Sequence, residues 1–388
     1  MAETGIHIQG HCDTRFAAVR AAFEENFVQR GELGAAVAVR VGGRTVVDLW
    51  GGWADAAGTR PWERDTLVNV WSTTKGPVAL CVHILADRGL LDLDAPVATY
   101  WPEFAAAGKE SVLVRHLLSH RSGLAGLREP HTFAELCDWE LTVARLAATE
   151  PWWEPGTRSG YHALTFGFLV GEVVRRVTGL LPGAFLREAV TGPHGVDFAV
   201  GLPEKDHHRA AELVHAPSSS TGGQAAMFSE LDPVTLAAAA NPVVGAAEAN
   251  GPRWRAAEIP AANGHGTARA VAELYGIVAS GGVLGDSRVL SIAAAERVRE
   301  GQGPCRDLVL GAGFDHDTEI ALGLWLSGSN RSYGPNPRAI GHDGFGGSFG
   351  LADPETELSM GYVMNRMGPR IADDPRKTAL IEAVYRAL

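Results

Sequence analysis

Ser72-Thr73-Thr74-Lys75, with the apolar run Val78 to Leu91 directly after it, is the segment from which the rest of this chain is read. Residues three apart share a helix face, so the Ser72 hydroxyl and the Lys75 amine can meet without help from tertiary packing. That is a nucleophile beside a candidate base. Two defining positions make a short motif, and composition sharpens it. The chain carries four lysines, Lys75, Lys109, Lys205 and Lys377, among 34 basic residues. Arginine therefore serves wherever plain positive charge is enough, and lysine, unlike arginine, can lose its proton when desolvated. A lysine kept at this spacing points to chemistry, against the competing reading of one surface lysine in four.

At 388 residues and 46% hydrophobic, the chain can bury a large core. A net charge of -11 and the absence of any lysine or arginine run argue against a nucleic-acid partner. Met1 to Gly10 has no basic segment followed by an apolar one, and no stretch approaches about eighteen uninterrupted apolar residues. Cys12, Cys81, Cys137 and Cys305 are widely spaced, with no CxxC pair, so reduced thiols are expected rather than a zinc site or a disulfide framework. These features predict a cytoplasmic protein with no membrane partner. No HExxH occurs, and the adjacent His207 and His208 point apart on a helix, so neither a metal ion nor another cofactor is expected.

Working outward from Ser72, Phe16 to Phe27 has helical apolar spacing, and Ala35 to Val41, Gly42-Gly43 and Thr45 to Trp50 read as a two-residue hairpin. From Lys75 to Ala256 helical stretches alternate with Pro/Gly-rich loops and little strand pattern appears. Ala268 to Ser280 is an expected helix. Strand-like runs follow at Ala321 to Leu326, Ser348 to Ala352 and Leu358 to Asn365, and a closing helix at Thr378 to Leu388. The expected fold class is α+β. One antiparallel sheet domain is assembled from both chain ends (1–74 and 257–388) and flanked by the terminal helices, with a mainly helical domain, 75–256, inserted between. The active site is expected in the cleft between them. Ser218 to Gly223 reads as a surface loop or a lid.

Two further motifs lie downstream. Pro155 to Ala163 is a Pro/Gly turn that delivers Tyr161 just ahead of the apolar helix Leu164 to Val177; a packed core aromatic is the plainer reading. Ile340-Gly341-His342-Asp343-Gly344-Phe345-Gly346-Gly347-Ser348-Phe349-Gly350 combines a strand edge with glycines that let a ligand approach the backbone. A plain Gly-rich hairpin competes with that reading.

Together, Ser-x-x-Lys, a Tyr loop and a Lys/His-x-Gly strand, in this order, resemble the serine β-lactamase and penicillin-binding-protein superfamily. Val114 to Leu124 (VRHLLSHRSGL) and Trp153 to Thr157 (WEPGT) look like recurring segments of its class C β-lactamase-like branch. The likeness runs from about Val37 to Asn365. Within that branch the chain is most similar to the family VIII carboxylesterases. The Tyr-x-Asn of class C β-lactamases and DD-peptidases ends here in Ala163, and Lys-Thr-Gly is replaced by His342-Asp343-Gly344. On this resemblance an anionic β-lactam would meet a mostly neutral imidazole and the like charge of Asp343.

The resemblance implies a β-lactamase/transpeptidase-like fold and a serine hydrolase of small carboxylic esters working through an acyl-enzyme on Ser72. Lys75 and Tyr161 would handle the proton, either with neutral Lys75 as base or with cationic Lys75 beside a Tyr161 phenolate. The amides of Ser72 and Phe345 would form the oxyanion hole, with His342, Asp343 and Gly344 toward the substrate. A β-lactamase or D-amino-acid peptidase of the same fold, a lactonase or acyltransferase, and a non-catalytic ligand sensor are the rivals. Gly346-Gly347-Ser348-Phe349-Gly350 also fits the Gly-x-Ser-x-Gly nucleophile elbow, but strand-like sequence follows it where an elbow needs a helix. Trp71, Trp152 and Trp153 suggest an aromatic-walled cleft, which core packing explains equally well. The substrate and the oligomeric state are not legible.

Overall fold

The computed structural model describes residues 7–215, 231–311, 318–328, 333–369 and 374–388. The Ser218 to Gly223 stretch lies outside them. Among the described residues, seven strands form one antiparallel sheet: β1 (Gln9–Cys12), β2 (Gly34–Val41), β3 (Arg44–Gly52), β4 (Trp325–Leu326), β5 (Ile340–Asp343), β6 (Phe349–Asp353) and β7 (Leu358–Met364). Their order is β1-β3-β2-β7-β6-β5-β4, so β7, from the end of the chain, pairs with β2, from its beginning. The β2–β3 connection is the expected two-residue turn. Gly42 and Gly43 both have positive φ, 55° and 74°, which matches the twist of a hairpin and which glycine adopts without strain.

Strand alternation decides what lies on each face. Val37, Val39, Leu351, Met360 and Tyr362 belong to the apolar layer shared with Phe23, Leu380 and Val384 of the terminal helices, α1 (Ala17–Gln29) and α5 (Pro375–Ala387). The opposite face receives α4 (Ala268–Ala279), and here glycines permit close approach. A Cβ at Gly361 would strike the Ala268 carbonyl, and one at Gly276 would lie 2.9 Å from Ser359 Oγ.

The chain between the two groups of strands supplies α2 (Lys75–Asp87) and α3 (Thr165–Thr178), which pack against each other. In α2 every residue from Pro77 to Leu85 is buried, which makes it a helix apolar on all sides and therefore central. The terminal helix starts earlier than its apolar spacing suggests. Asp374 accepts from the Arg376 amide and Pro375 occupies the first turn, an Asp-Pro start that needs no apolar residue. The run Ala321 to Leu326 yields strand only at Trp325–Leu326. Gly323, at φ 102°, reverses the chain so that the Ala321 amide bonds the Leu324 carbonyl. The helical middle also contributes a strand, Phe198–Val200, which joins Val68–Asn69 and Gly264–Gly266 in a small sheet at the doorstep of Ser72.

Candidate active site

The chain enters the Ser72 turn under constraint. The Val70 amide bonds the Gly264 carbonyl at 2.8 Å, and Trp71 then adopts φ 47°, ψ −131°, a conformation that costs a non-glycine residue on the order of 1–3 kcal/mol. Thr74 holds the turn closed: its hydroxyl donates to the Trp71 carbonyl at 2.5 Å and accepts from the Gly264 amide at 2.9 Å. The Trp71 ring wedges between Trp254 and Phe345, at 5.4 and 5.6 Å between centroids. Ser72–Thr74 is a 3₁₀ turn leading straight into α2.

Lys75 is fully buried, and its Nζ lies 3.1 Å from Ser72 Oγ. The same nitrogen donates to the carbonyls of Ala163 at 2.8 Å and Ala261 at 3.0 Å. It also faces the rings of Tyr161, 4.8 Å away, and Phe166, 5.8 Å away. Ala163, which has no side-chain donor to offer, thus holds the amine through its backbone. Ala261 reaches it because Gly167 of α3 lets the 260–261 backbone pass at a distance no Cβ would allow.

Tyr161 is almost wholly buried in this loop. Its amide donates to Asp307 Oδ1 at 3.0 Å, and the same oxygen takes the amides of Val309 and Leu310, so one buried carboxylate ties the tyrosine loop to the 307–310 segment. The His120 ring, at φ 58° on its backbone, packs 5.0 Å from the Tyr161 ring. His162 follows with a fixed tautomer. Its Nδ1–H donates to the Gly160 carbonyl at 2.6 Å, and its Nε2 accepts from Ser122 Oγ at 2.8 Å. Burial pushes this imidazole down to about 4; the Gly160 carbonyl opposes that and the Lys75 charge adds to it. His162 is therefore neutral packing next to Lys75.

Across from Ser72 stands the hairpin between β5 and β6. The Gly344 amide bonds the Ser348 carbonyl at 2.7 Å, and the Gly347 amide bonds the Gly344 carbonyl at 3.1 Å. With that carbonyl turned into the hairpin, the planar Gly344–Phe345 peptide sends the Phe345 N–H the other way. Ser348 is no exposed elbow. It is buried, its Oγ donates to the Val70 carbonyl at 2.8 Å and sits 3.2 Å from Thr73 Oγ1, and β6 rather than a helix follows. It fastens the hairpin to the turn that carries Ser72. At Gly344 the two approach so closely that a Cβ would strike the Val70 carbonyl oxygen and sit 3.0 Å from Thr73 Oγ1. From α4, the Tyr275 hydroxyl donates to the Thr73 carbonyl at 3.0 Å; burial, then the Asp343 and Tyr161 charges, hold that phenol well above its ordinary range.

His342 and Asp343 part company here. His342 pairs with Gly350 and lies on the Tyr161 side, 6.0 Å from the Tyr161 ring and 6.5 Å from Trp325. Its Nδ1 donates to the Asp343 carbonyl at 2.8 Å, so in the neutral ring Nε2 carries a lone pair. Asp343 pairs with Phe349 on the other face and forms a buried ion pair with Lys377 Nζ at 2.6 Å. The sequence reading put this carboxylate toward the substrate together with His342; neighbouring strand residues face opposite ways, and Asp343 meets Lys377 of α5. Sequence reasoning also missed His120, Asp307 and Tyr275. The Ala163 and Ala261 carbonyls have no side-chain signature by which it could have found them.

A half-buried serine in the turn that opens a helix, in contact with a fully buried lysine three residues on, beside an antiparallel sheet built from both chain ends, defines the β-lactamase/transpeptidase-like architecture. A family model described as Beta-lactamase matches residues 19–384, and the chain belongs to that family. It is 38% identical over 386 residues to Esterase/beta-lactamase LipL of Mycobacterium tuberculosis (strain ATCC 25618 / H37Rv), a match covering 94% of this chain and 84% of that protein. A crystal structure of a family VIII carboxylesterase is similar at TM-score 0.92 and 45% identity, covering 99% of this chain and 100% of the other. A penicillin-binding protein homolog from Caulobacter crescentus follows at TM-score 0.90 and 41% identity, covering 98% and 100%.

Proposed function

We propose that this protein is a carboxylic ester hydrolase that forms an acyl-enzyme on Ser72. The 3.1 Å contact between Ser72 Oγ and the buried Lys75 Nζ carries the reading. In the proposed cycle Ser72 Oγ attacks the ester carbonyl while its proton passes to the Lys75 and Tyr161 pair. The negative charge developing on the carbonyl oxygen is met by the amides of Ser72 and Phe345, and the opening turn before α2 adds the positive end of its peptide dipoles. The departing alcohol takes the proton back. Water then repeats the sequence on the acyl-enzyme, and the carboxylic acid leaves.

Two carbonyls and two aromatic faces around Lys75 favour its cationic form, which puts the accepting role on the Tyr161 oxygen. We take the substrate cleft to lie between the sheet unit (1–74 and 257–388) and the helical unit (75–256). His342, Trp325 and Tyr161 wall it on one side and suit a small uncharged acyl ester.

The name of the LipL relative keeps a β-lactamase as the second reading. A hydrolysis panel of p-nitrophenyl esters of increasing chain length, lactones and a chromogenic cephalosporin separates the two, the ester reading requiring short esters to be turned over fastest. No helix among the described residues is long and apolar enough to cross a membrane. Four free cysteines fit the cytoplasm as the site of action.

A further inference from the structure

The first turn of α5 grips the β5–β6 hairpin from behind. Arg376 Nη2 donates to the Gly346 carbonyl at 2.6 Å, and the Gly368 amide takes the same oxygen at 2.7 Å. The guanidinium is itself held by Asp374 Oδ2 at 2.6 Å, by Glu32 Oε2 at 3.0 Å and by the Arg366 carbonyl at 2.8 Å. Glu32 is tied in turn by the Tyr362 hydroxyl. One residue along, Lys377 holds Asp343. Consecutive residues of one helical turn thus fasten the strand end at Asp343 and the turn at Gly346, and Phe345 lies between those two points.

Such a cluster is costly to bury, and apolar residues of the same volume would pack α5 against the sheet as well or better. What they would not do is fix a carbonyl. The hairpin needs fixing, because Gly344, Gly346 and Gly347 give it unusual freedom, the last two at φ 91° and 127°. An oxyanion donor is useful only when held to within about 0.5 Å.

We propose that Arg376 is a positioning residue for the reaction: by clamping Gly346 it sets the direction of the Phe345 amide, with the Lys377–Asp343 pair fixing the strand that leads there. This rests on the ester-hydrolase reading above.

The test compares the full-length wild type with Arg376→Lys, which is too short to reach Gly346 while keeping its charge beside Asp374, and with Glu32→Gln, which loosens the same cluster but leaves the Gly346 contact. Arg376→Gln, which retains a single amide donor, is the second variant should the lysine protein not fold. Active sites are counted by fluorophosphonate labelling of Ser72, and kcat and KM are measured on p-nitrophenyl acetate alongside Ki for phenylboronic acid and Tm. The expected result is a fall in kcat of at least about tenfold in the Arg376 variant. Its KM should stay within about threefold, with boronate affinity weakened in step with kcat. Glu32→Gln should lose comparable Tm yet keep kcat within about twofold. An Arg376 variant with wild-type kcat overturns the inference, as does a kcat loss in Glu32→Gln equal to that in the Arg376 variant. Wild type that carries no label on Ser72 removes the ester-hydrolase reading and this inference with it.

Discussion

Lys377 Nζ lies 2.6 Å from Asp343 Oδ1, with both side chains only 7% exposed. The carboxylate in the Lys-Thr-Gly position of β-lactamases is therefore neutralised on the far side of its strand, while His342 alone addresses the tyrosine side. On the proposed ester-hydrolase reading, weak handling of anionic β-lactams is expected to come from a missing cation and not from like-charge repulsion.

That reassignment changes which substitution should matter. His342→Lys is expected to raise acylation by a chromogenic cephalosporin at least about tenfold, while short-ester hydrolysis stays within about tenfold, since one charge–charge contact in a partly wet site contributes a few kcal/mol at most. Asp343→Thr should give no such gain. It removes the partner of a buried ammonium, which costs about 3–5 kcal/mol and should be read as a lower Tm.

Lys75 and Tyr161 are expected to behave as one unit. Lys75→Met and Tyr161→Phe should each lower kcat by about a thousandfold or more, and the double variant by little further. Additive losses would mean two independent roles. Lys75→Arg, which keeps the charge but holds its proton, should retain more activity than Lys75→Met if cationic Lys75 supports a Tyr161 base; equal inactivity would return the base role to neutral Lys75.

Ser348→Ala cuts the tie from the hairpin to the Val70 carbonyl and Thr73. A lost buried hydrogen bond is worth about 1–3 kcal/mol, and here it separates the two proposed oxyanion donors. The expected effect is a kcat fall of roughly tenfold to a hundredfold with KM nearly unchanged and Ser72 still labelled. Complete loss of labelling would contradict this supporting role.

Acid should unfold the protein through its buried imidazoles. His83, on α2, gives its Nε2–H to the Leu322 carbonyl at 2.9 Å, and burial, against that hydrogen bond and with a smaller push from Arg297, lowers it from 6.5 to about 4. A histidine depressed in the fold leaves stability intact above pH 6.5 and takes it away as pH falls from 6.5 through about 4, here on the order of 3 kcal/mol. His83→Gln can keep the bond to Leu322 without titrating. Its Tm should fall less than that of the wild type between pH 6.5 and 4; an identical fall would assign the acid sensitivity elsewhere.

Much of the architecture was legible because its signals are local. Gly42-Gly43 specifies its own turn, and Ser72 and Lys75 meet through helical spacing alone. Lysine scarcity carried more than one message: Lys75, Lys109 and Lys377 are all buried, Lys109 with its Nζ on the carbonyls of Ala106, Ala147 and Thr149. The opposite facing of His342 and Asp343 was legible, since adjacent residues on a strand point to opposite faces. The carbonyls of Ala163 and Ala261 were not, because long-range packing places them and any residue could supply them. The same holds for Arg376 at Gly346, a contact across 30 residues between a side chain and a backbone oxygen.

The central claim is that Ser72 is the acylated residue, and labelling with a fluorophosphonate followed by peptide mapping tests it most directly. The adduct should fall on the Ser72 peptide at one per chain and abolish p-nitrophenyl acetate hydrolysis, and Ser72→Ala should neither label nor turn over ester, with a loss of at least about a thousandfold and an unchanged fold. An adduct on Ser348, or ester hydrolysis that survives in Ser72→Ala, would contradict the account.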